Sequence, residues 1–210
     1  MGAFDARPLP EDPRCREVLE FWFGGAEDDA AVIAEKGALW FRGGDEVDRE
    51  IRTRFAGLHE EVAAGRLDGW TAVPLGRLAL VLVIDQFSRN LFRDDARAYA
   101  HDALALGWCK EALASGEDRQ LRPIERTFLY LPLEHSEDIA DQEQAVALFT
   151  ALTREVPAAA RERFDGFLDY AIRHHDIIAR FGRFPHRNAV LGRASTAEEI
   201  EFLKQPGSSF

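Results

Sequence analysis

The sequence predicts an all-α fold made of antiparallel helix pairs. Apolar residues recur every three or four positions along most of the chain, no stretch alternates apolar and polar residues for long enough to form a strand, and the loops between helical patterns are short, which favours antiparallel packing. No linker divides the 210 residues. We therefore expect a single domain over residues 1–210, with about nine helices and with loose termini at 1–11 and 205–210.

The first two helices are marked by their ends. Asp12 followed by Pro13 is typical of an N-cap and a first helical position, and Gly24 ends the apolar pattern that follows. A second pattern runs from about Asp29 to Phe41 and stops before a pair of glycines. Turn-forming residues therefore mark the ends of both helices.

The third helix has the clearest amphipathic pattern of the chain. It opens at Asp45 and places Ile51, Phe55, Leu58 and Val62 on one face. That face should pack against the core.

The fourth helix should lie at the centre of the fold. It begins at Pro74, and its stretch from Leu78 to Ile84 is apolar on every face before the chain reaches Asp85. A fifth helix is predicted from about Ala96 to Ala114, where the pattern ends at a Ser-Gly pair.

Prolines divide the second half of the chain. Pro123 begins a sixth helix, and Pro132 should kink or break it because proline has no amide hydrogen to donate. Helical pattern resumes after Ser136 and ends before Pro157, where an eighth helix begins and continues to about Phe181. This region therefore predicts three helices in succession.

A short final helix is predicted from its cap. Ser195 and Thr196, followed by Glu198 and Glu199, form a capping-box signature for a helix that extends through Leu203. We find no repeat near the length typical of tetratricopeptide motifs, so any solenoid character is degenerate in sequence.

Composition and charge exclude several classes of protein. The formal net charge of −11 repels a phosphate backbone, so we expect no nucleic-acid partner. The longest apolar run is far shorter than the roughly 20 residues that span a bilayer, so we expect no membrane segment. The first ten residues lack the apolar region of a secretion signal, which favours a cytoplasmic location. Cys15 and Cys109 are too isolated to indicate a disulfide framework, a thiolate metal site or a nucleophile.

Four polar stretches interrupt the apolar pattern and are the places to look for function. The first is "IDQFSRNLFR", which follows the most apolar helix. Asp85 and Arg89 are four residues apart and should share a helix face, so an ion pair that fixes the helix end is the plain interpretation. The other polar residues of this stretch are Gln86, Asn90 and Arg93.

The second polar stretch is "YLPLEHSED", where the proline is followed by Glu134, His135, Ser136 and Glu137. A kink frees backbone carbonyls and suits ligand sites. A metal site is not predicted here, because Glu134 and His135 are adjacent and diverge on a helix, whereas helical metal motifs space their ligands by four. Ser136 is a candidate cap for the next helix.

The third polar stretch, "RHHDIIARFG", contains adjacent His and Asp residues as the metal-binding HD phosphohydrolases do. His175-Asp176 and His101-Asp102 are the two candidate pairs, but the further ligands of such a site have no recognisable spacing. The alternative is that His174, on one face with the apolar residues that follow it, is a half-buried, hydrogen-bonded histidine.

The fourth polar stretch, "FGRFPHRNAVLGR", concentrates positive charge in an acidic protein. Gly182 and Pro185 should end the eighth helix, so the basic residues that follow occupy an irregular loop. Cations near a helix C-terminus also neutralise the helix dipole, which is the alternative explanation.

In this order, these stretches resemble the bacterial domain-of-unknown-function family number 924. The blocks that carry the resemblance are "VLEFWFG", "LVIDQFSRNLFRDDARAYAHDALAL", "ERTFLYLPLEHSEDIADQEQ" and "HHDIIARFGRFPHRNAVLGRASTAEEIEFL". The resemblance implies a right-handed, tetratricopeptide-like array of helices, and it implies no activity.

Three hypotheses of function follow from the polar stretches. In the first, the protein is a binding module, and a composite pocket holds a small anionic ligand because arginine favours bidentate recognition of carboxylate or phosphate. The predicted ligand-binding residues are Arg89, Asn90, Arg93, Arg183, His186, Arg187, Asn188 and Arg193. A protein partner is the other expectation for a helical array, whereas no cofactor or metal is predicted.

The second hypothesis is a small hydrolase-like enzyme that uses His135 or His174 together with a carboxylate or a metal ion. Its candidate catalytic residues are Glu134, His135 and His174. The third is a structural protein in which the charges pair internally, with Asp85, Gln86, Glu137 and Gln142 as members of the polar network. The sequence does not predict the oligomeric state.

Overall fold

The helix ends follow the capping signals of the sequence. The computed structural model describes residues 2–41 and 43–209. This part of the chain contains no strand and ten α-helical segments, two of which are joined, so that nine separate helices result. In chain order, α1 is Pro13–Phe23, α2 Asp29–Phe41, α3 Asp45–Ala63, α4 Pro74–Val81, α5 Ser88–Leu91, α6 Asp102–Ser115, α7 Pro123–Glu134, α8 Ile139–Glu155, α9 Ala158–Phe181 and α10 Ala197–Phe202. The predicted all-α fold is confirmed.

The fourth helix is longer than its sequence pattern indicates. A π-helical turn at Leu82–Phe87 joins α4 to α5, so these two labels belong to one continuous helix. Its backbone amides bond five residues back rather than four, which widens the turn. The turn contains Asp85, and Arg89 follows directly in α5.

The predicted fifth helix is divided into two pieces. Residues Ala96–Tyr99 form a 3-10 turn, and α6 begins only at Asp102. Asp95 caps the 3-10 turn by accepting the amide of Arg97, so the chain starts turning before the α-helical pattern begins.

Pro132 lies inside α7 rather than at its end. The helix continues for two residues beyond it, to Glu134. Because Pro132 cannot donate, the carbonyl of Phe128 lacks its usual intrahelical partner. Asp138, not Ser136, caps α8; the Ser136 hydroxyl instead donates to Asp141 over 2.8 Å.

The core sits around α4. Every residue from Leu75 to Val81 is buried, and this helix contacts α1, α6 and α7. Helix α7 also packs against α8, and α8 packs against α9. A smaller apolar cluster of Ile177, Ile178 and Phe184 lies where α9 meets the following loop. In the described residues, no helix is long and apolar enough to cross a membrane.

The two termini predicted to be loose are attached to the rest of the protein. Phe4 is fully buried, and Arg7 donates two hydrogen bonds to the buried carboxylate of Glu125, so the described part of residues 1–11 is anchored. Ser208 is buried and its hydroxyl donates to the carbonyl of Leu203. Met1 and Phe210, at the ends of the predicted loose segments, lie outside the described residues.

Candidate functional site

A cavity of about 480 Å³ lies between α2, α7 and α9. Most of its lining is apolar, and its exposure is graded: Phe41 and Tyr170 are 59% and 48% exposed, whereas Glu134 is 3% exposed. Glu134 therefore lies deep and the two aromatic residues lie at the mouth. The lining residues are Ile33, Ala34, Gly37, Ala38, Phe41, Gln86, Thr127, Phe128, Leu131, Glu134, Phe149, Glu162, Arg163, Gly166, Phe167 and Tyr170.

Small residues keep this cavity open. On α2, Ala34, Gly37 and Ala38 recur at helical spacing, and on α9 Gly166 lines the opposite wall. A methyl group added to Gly37 or Gly166 would meet no other atom within 4 Å. The space between α2 and α9 is therefore open because the residues that face it have very small side chains or none.

Glu134 is an unusual carboxyl group. Among residues 2–41 and 43–209, no lysine or arginine pairs with it, and burial, with a further contribution from Asp85, raises its pKa to about 8. It is therefore protonated and neutral at neutral pH. The neighbouring His174 is also neutral, because burial lowers its pKa to about 3. Its Nδ1 lies 2.9 Å from the Tyr170 carbonyl and 3.1 Å from Glu134 Oε1, so the Nδ1 hydrogen points toward both oxygens.

Asp85 is the centre of a second buried polar group. It accepts hydrogen bonds from Gln86 Nε2 at 2.6 Å and from His135 Nδ1 at 2.8 Å. The Arg89 guanidinium lies 3.4 Å from Asp85 Oδ1 and donates to the Asp85 carbonyl. Burial acts to raise the pKa of Asp85, but Arg89 and His135 outweigh it and hold the pKa well below its usual range. Burial and Arg89 together lower the pKa of His135, despite the opposing effect of Asp85.

The group around Asp85 continues to Arg187. Asp102 accepts two hydrogen bonds from Arg89, at 3.2 and 3.1 Å, and lies 3.7 Å from Arg187. The Arg187 guanidinium stacks on Tyr99 and Phe184 and donates to the His135 carbonyl over 3.0 Å. Its buried Nε has no partner in the described residues, and burial and Arg89 lower the pKa of Arg187 to about 10.

The loop that follows α9 is held by ion pairs. Arg193 forms a bidentate pair with Glu137, at 2.6 and 2.9 Å, and Arg183 forms one with Glu199, at 2.6 and 2.8 Å. Asn188 is buried and its side chain accepts from Arg193. The charges of Arg183 and Arg193 are thus compensated within the protein.

Two of the predicted ligand-binding residues lie elsewhere. Asn90 and Arg93 both donate to Asp48 of α3, at 2.7 to 2.8 Å, so this group faces α3 and not the cavity. His186 contacts Phe184, and burial and Arg187 lower its pKa to about 4. Gln142 donates to the carbonyls of Glu134 and Ser136 and holds the turn between α7 and α8.

The sequence matches the family described as "Bacterial protein of unknown function (DUF924)" over residues 18–207. The chain belongs to this family. A solved structure, described as a protein of unknown function, ATU0120, from Agrobacterium tumefaciens, is similar to it, with 35% sequence identity and a TM-score of 0.77. The match covers 93% of this chain and 99% of that chain. No curated protein shows significant similarity to it. The resemblance read from the sequence blocks is confirmed.

The DUF924 chain has few groups suited to metal or thiol chemistry in its described part. No set of three or more His, Cys, Asp and Glu residues is placed to hold a metal ion in residues 2–41 and 43–209. His175 bonds to the adjacent Asp176 on the exposed face of α9. Cys15 and Cys109 are buried, and burial raises the pKa of the Cys15 thiol to about 12.

Sequence reasoning missed most of the cavity of this DUF924 protein. Glu134 and Gln86 were among the predicted polar residues, but the apolar walls were not, because apolar faces of helices are also what a packed core requires. The available signal was glycine inside a helical pattern, at Gly37 and Gly166, where glycine lowers helix stability and so needs a reason.

Proposed function

We propose that this DUF924 protein is a binding module that takes a small molecule with an apolar body and one polar group into the cavity between α2, α7 and α9. One observation carries the proposal: Glu134, an ionisable residue with no cationic partner in the described residues, is buried against a cavity with a mostly apolar lining. Binding sites combine such apolar walls with a few convergent polar groups, in volumes of about 300–1,000 Å³.

The proposal keeps the binding function expected from the sequence and changes the ligand. None of the predicted arginines lines the cavity. Arg93, Arg183 and Arg193 each hold a carboxylate with two hydrogen bonds, so an anion would have to displace an existing partner. These three arginines then have a structural role: Arg93 bonds to α3, and Arg183 and Arg193 hold the loop that follows α9.

The cavity can be tested by filling it. Gly166→Phe and Gly37→Phe place a ring in the open space and should not weaken their helices, because phenylalanine is a better helix former than glycine. Gly57→Phe on α3 is a matched control, since a side chain there also meets open space but lies away from the cavity. A library of small apolar molecules with single polar groups would be screened by thermal shift.

We expect compounds that raise the melting temperature of the wild type and of Gly57→Phe, and no shift for Gly166→Phe. Equal shifts in all three proteins would contradict the cavity as the binding site.

The second candidate function is general-base catalysis by His135. Asp85 binds Nδ1 of His135, which fixes the ring as the carboxylate does in catalytic Asp-His pairs. An activity screen against ester and phosphate substrates, with His135→Ala as the comparison, tests it; hydrolysis that survives His135→Ala would exclude this role.

A further inference from the structure

We infer that the polar group of the ligand is an organic cation, an alkyl- or arylammonium, whose nitrogen binds the carboxyl group of Glu134 while its apolar body lies against the aromatic rings of the cavity. This inference rests on the proposed function and adds the chemical class of the ligand.

The deep polar groups of the cavity favour a donor as the ligand. Glu134 supplies carboxyl oxygens, and Gln86, the other amide or acid at depth, already uses its Nε2 to bond Asp85. An ammonium group has three donors and no acceptor, which matches a set of oxygen acceptors.

The charges that face Glu134 favour a cation. From the π-helical turn, the buried Asp85 contributes negative charge at Glu134. Directly after α7 and on α9, His135 and His174 are neutral because burial lowers the pKa of each. Lining residues of α2 and α8 are not ionisable, and at the exposed rim Glu162 and Arg163 carry opposite charges. Arg89 is already bonded to Asp85 and Asp102.

The walls add a second, independent feature. Five aromatic residues line the cavity: Phe41, Phe128, Phe149, Phe167 and Tyr170. Two of them, Phe41 and Phe167, have ring centroids 6.0 Å apart at the mouth. Rings of this kind bury a large apolar area, so they suit the apolar body of a ligand whose nitrogen lies deeper, at Glu134.

Binding should be coupled to a proton. Because burial keeps Glu134 protonated near neutral pH, an ammonium ion that binds its carboxylate must release one proton from the carboxyl group to solvent. The charge balances: the carboxyl group loses a proton and the resulting carboxylate pairs with one ammonium. Affinity should therefore rise up to tenfold per pH unit while the pH is below about 8, and then level off.

Three probes with the same six-carbon chain test which polar group the cavity prefers. Hexylammonium, 1-hexanol and hexanoate share one apolar body, and their dissociation constants would be measured by calorimetry from about pH 6 to about pH 9. We expect hexylammonium to bind most tightly and to tighten with pH, and 1-hexanol to bind weakly without pH dependence. Glu134→Gln should weaken hexylammonium at least tenfold and remove its pH dependence. Glu143→Gln, on the exposed face of α8, is the matched control and should change neither.

The other outcomes contradict either the cation alone or the cavity as a binding site. If hexanol or hexanoate binds as tightly as hexylammonium and Gly166→Phe abolishes that binding, the cavity is a binding site and the cation is wrong. If no probe binds the wild type at any pH, or if Gly166→Phe binds all three unchanged, the proposed function fails and the inference fails with it.

Discussion

Glu134 is a carboxyl group placed where carboxylates are least stable. It is 3% exposed, its nearest ionisable partner is a neutral histidine, and burial raises its pKa to about 8. In the unfolded chain the same group ionises at about pH 4.3. Between these two values the folded protein binds a proton that the unfolded chain does not, so folding becomes less favourable as the pH rises.

Replacing Glu134 by its neutral isostere should therefore stabilise the protein in a pH-dependent way. For Glu134→Gln, we expect little change in the free energy of unfolding near pH 4, and a gain that grows to a few kcal/mol near pH 8 and then stays constant, with about 1.4 kcal/mol per pK unit as the upper limit. Urea unfolding across this range measures it. Glu143→Gln controls for the loss of a surface charge, and a pH-independent gain for Glu134→Gln would contradict the raised pKa.

At the residue scale, the sequence predicted which residues are polar and that Asp85 meets Arg89, four residues away, but not which residues distant in the chain meet. Asp85, Glu134, His135 and His174 stood out because they interrupt apolar patterns, and the structure brings them together. The partners of the arginines were not predictable in the same way. Arg93 bonds to Asp48, which is 45 residues away in the chain, and such pairs are fixed by packing rather than by spacing.

The loop after α9 is an element held by side chains more than by backbone. It contains one 3-10 turn, Pro185–Arg187, and is otherwise irregular. Arg193 joins it to Glu137 in the turn before α8, and the Glu137 carboxylate also accepts the amide of Phe184. Glu137 therefore neutralises a cation and satisfies a backbone donor at the same time.

A double-mutant cycle measures what this link contributes. For Arg193→Ala and Glu137→Ala, we expect a coupling free energy of about 1 kcal/mol, because the pair is bidentate and partly buried. The exposed pair Arg180–Glu198 is the control cycle and should give a coupling near zero. Equal couplings in the two cycles would show that the geometry of the Arg193 pair has no special value.

The positions of the helices were the most predictable feature of this structure. Caps and prolines located the starts of α1, α7 and α10, since these signals act within one turn of chain. The 3-10 turn at Ala96–Tyr99 and the π-helical turn at Leu82–Phe87 were not predicted. Both keep helical periodicity approximately, so sequence spacing alone does not separate them from an α-helix.

Across the whole molecule, buried histidines dominate the expected response to acid. Burial lowers the pKa of His59 to about 4, of His174 to about 3 and of His186 to about 4, and it also lowers the pKa of His135. Each is neutral in the fold and charged in the unfolded chain below about pH 6.5. Their contribution to stability is complete above that pH and is lost as the pH falls.

We therefore expect the free energy of unfolding to be greatest between about pH 6 and about pH 7 and to fall steeply below it. Glu134 acts in the opposite direction, but as one group against four it cannot reverse the trend below about pH 6. Near pH 5, unfolding should take up protons on balance, because the histidines together gain more than Glu134 releases, and the pH dependence of urea unfolding reports this uptake directly. Stability that is constant from pH 7 to pH 5 would contradict the neutral histidines.

The fold as a whole was predictable because apolar periodicity recurs in most of the helices. Its cavity was not, because a cavity depends on the distance at which two helices pack, and Gly37 and Gly166 influence that distance only when they face each other. The sequence therefore predicts the all-α class well and the location of a ligand poorly.

The π-helical turn at Leu82–Phe87 makes this part of the chain sensitive to its length. Removing one residue there would restore α-helical hydrogen bonding and rotate everything on one side of the turn by about 100°. Asp85 and Arg89 would then no longer face His135 and Asp102 together. Substitutions in this helix can be absorbed by neighbouring side chains, but a one-residue deletion cannot. Among family members, the number of residues between Pro74 and Arg89 should therefore vary less than their identity.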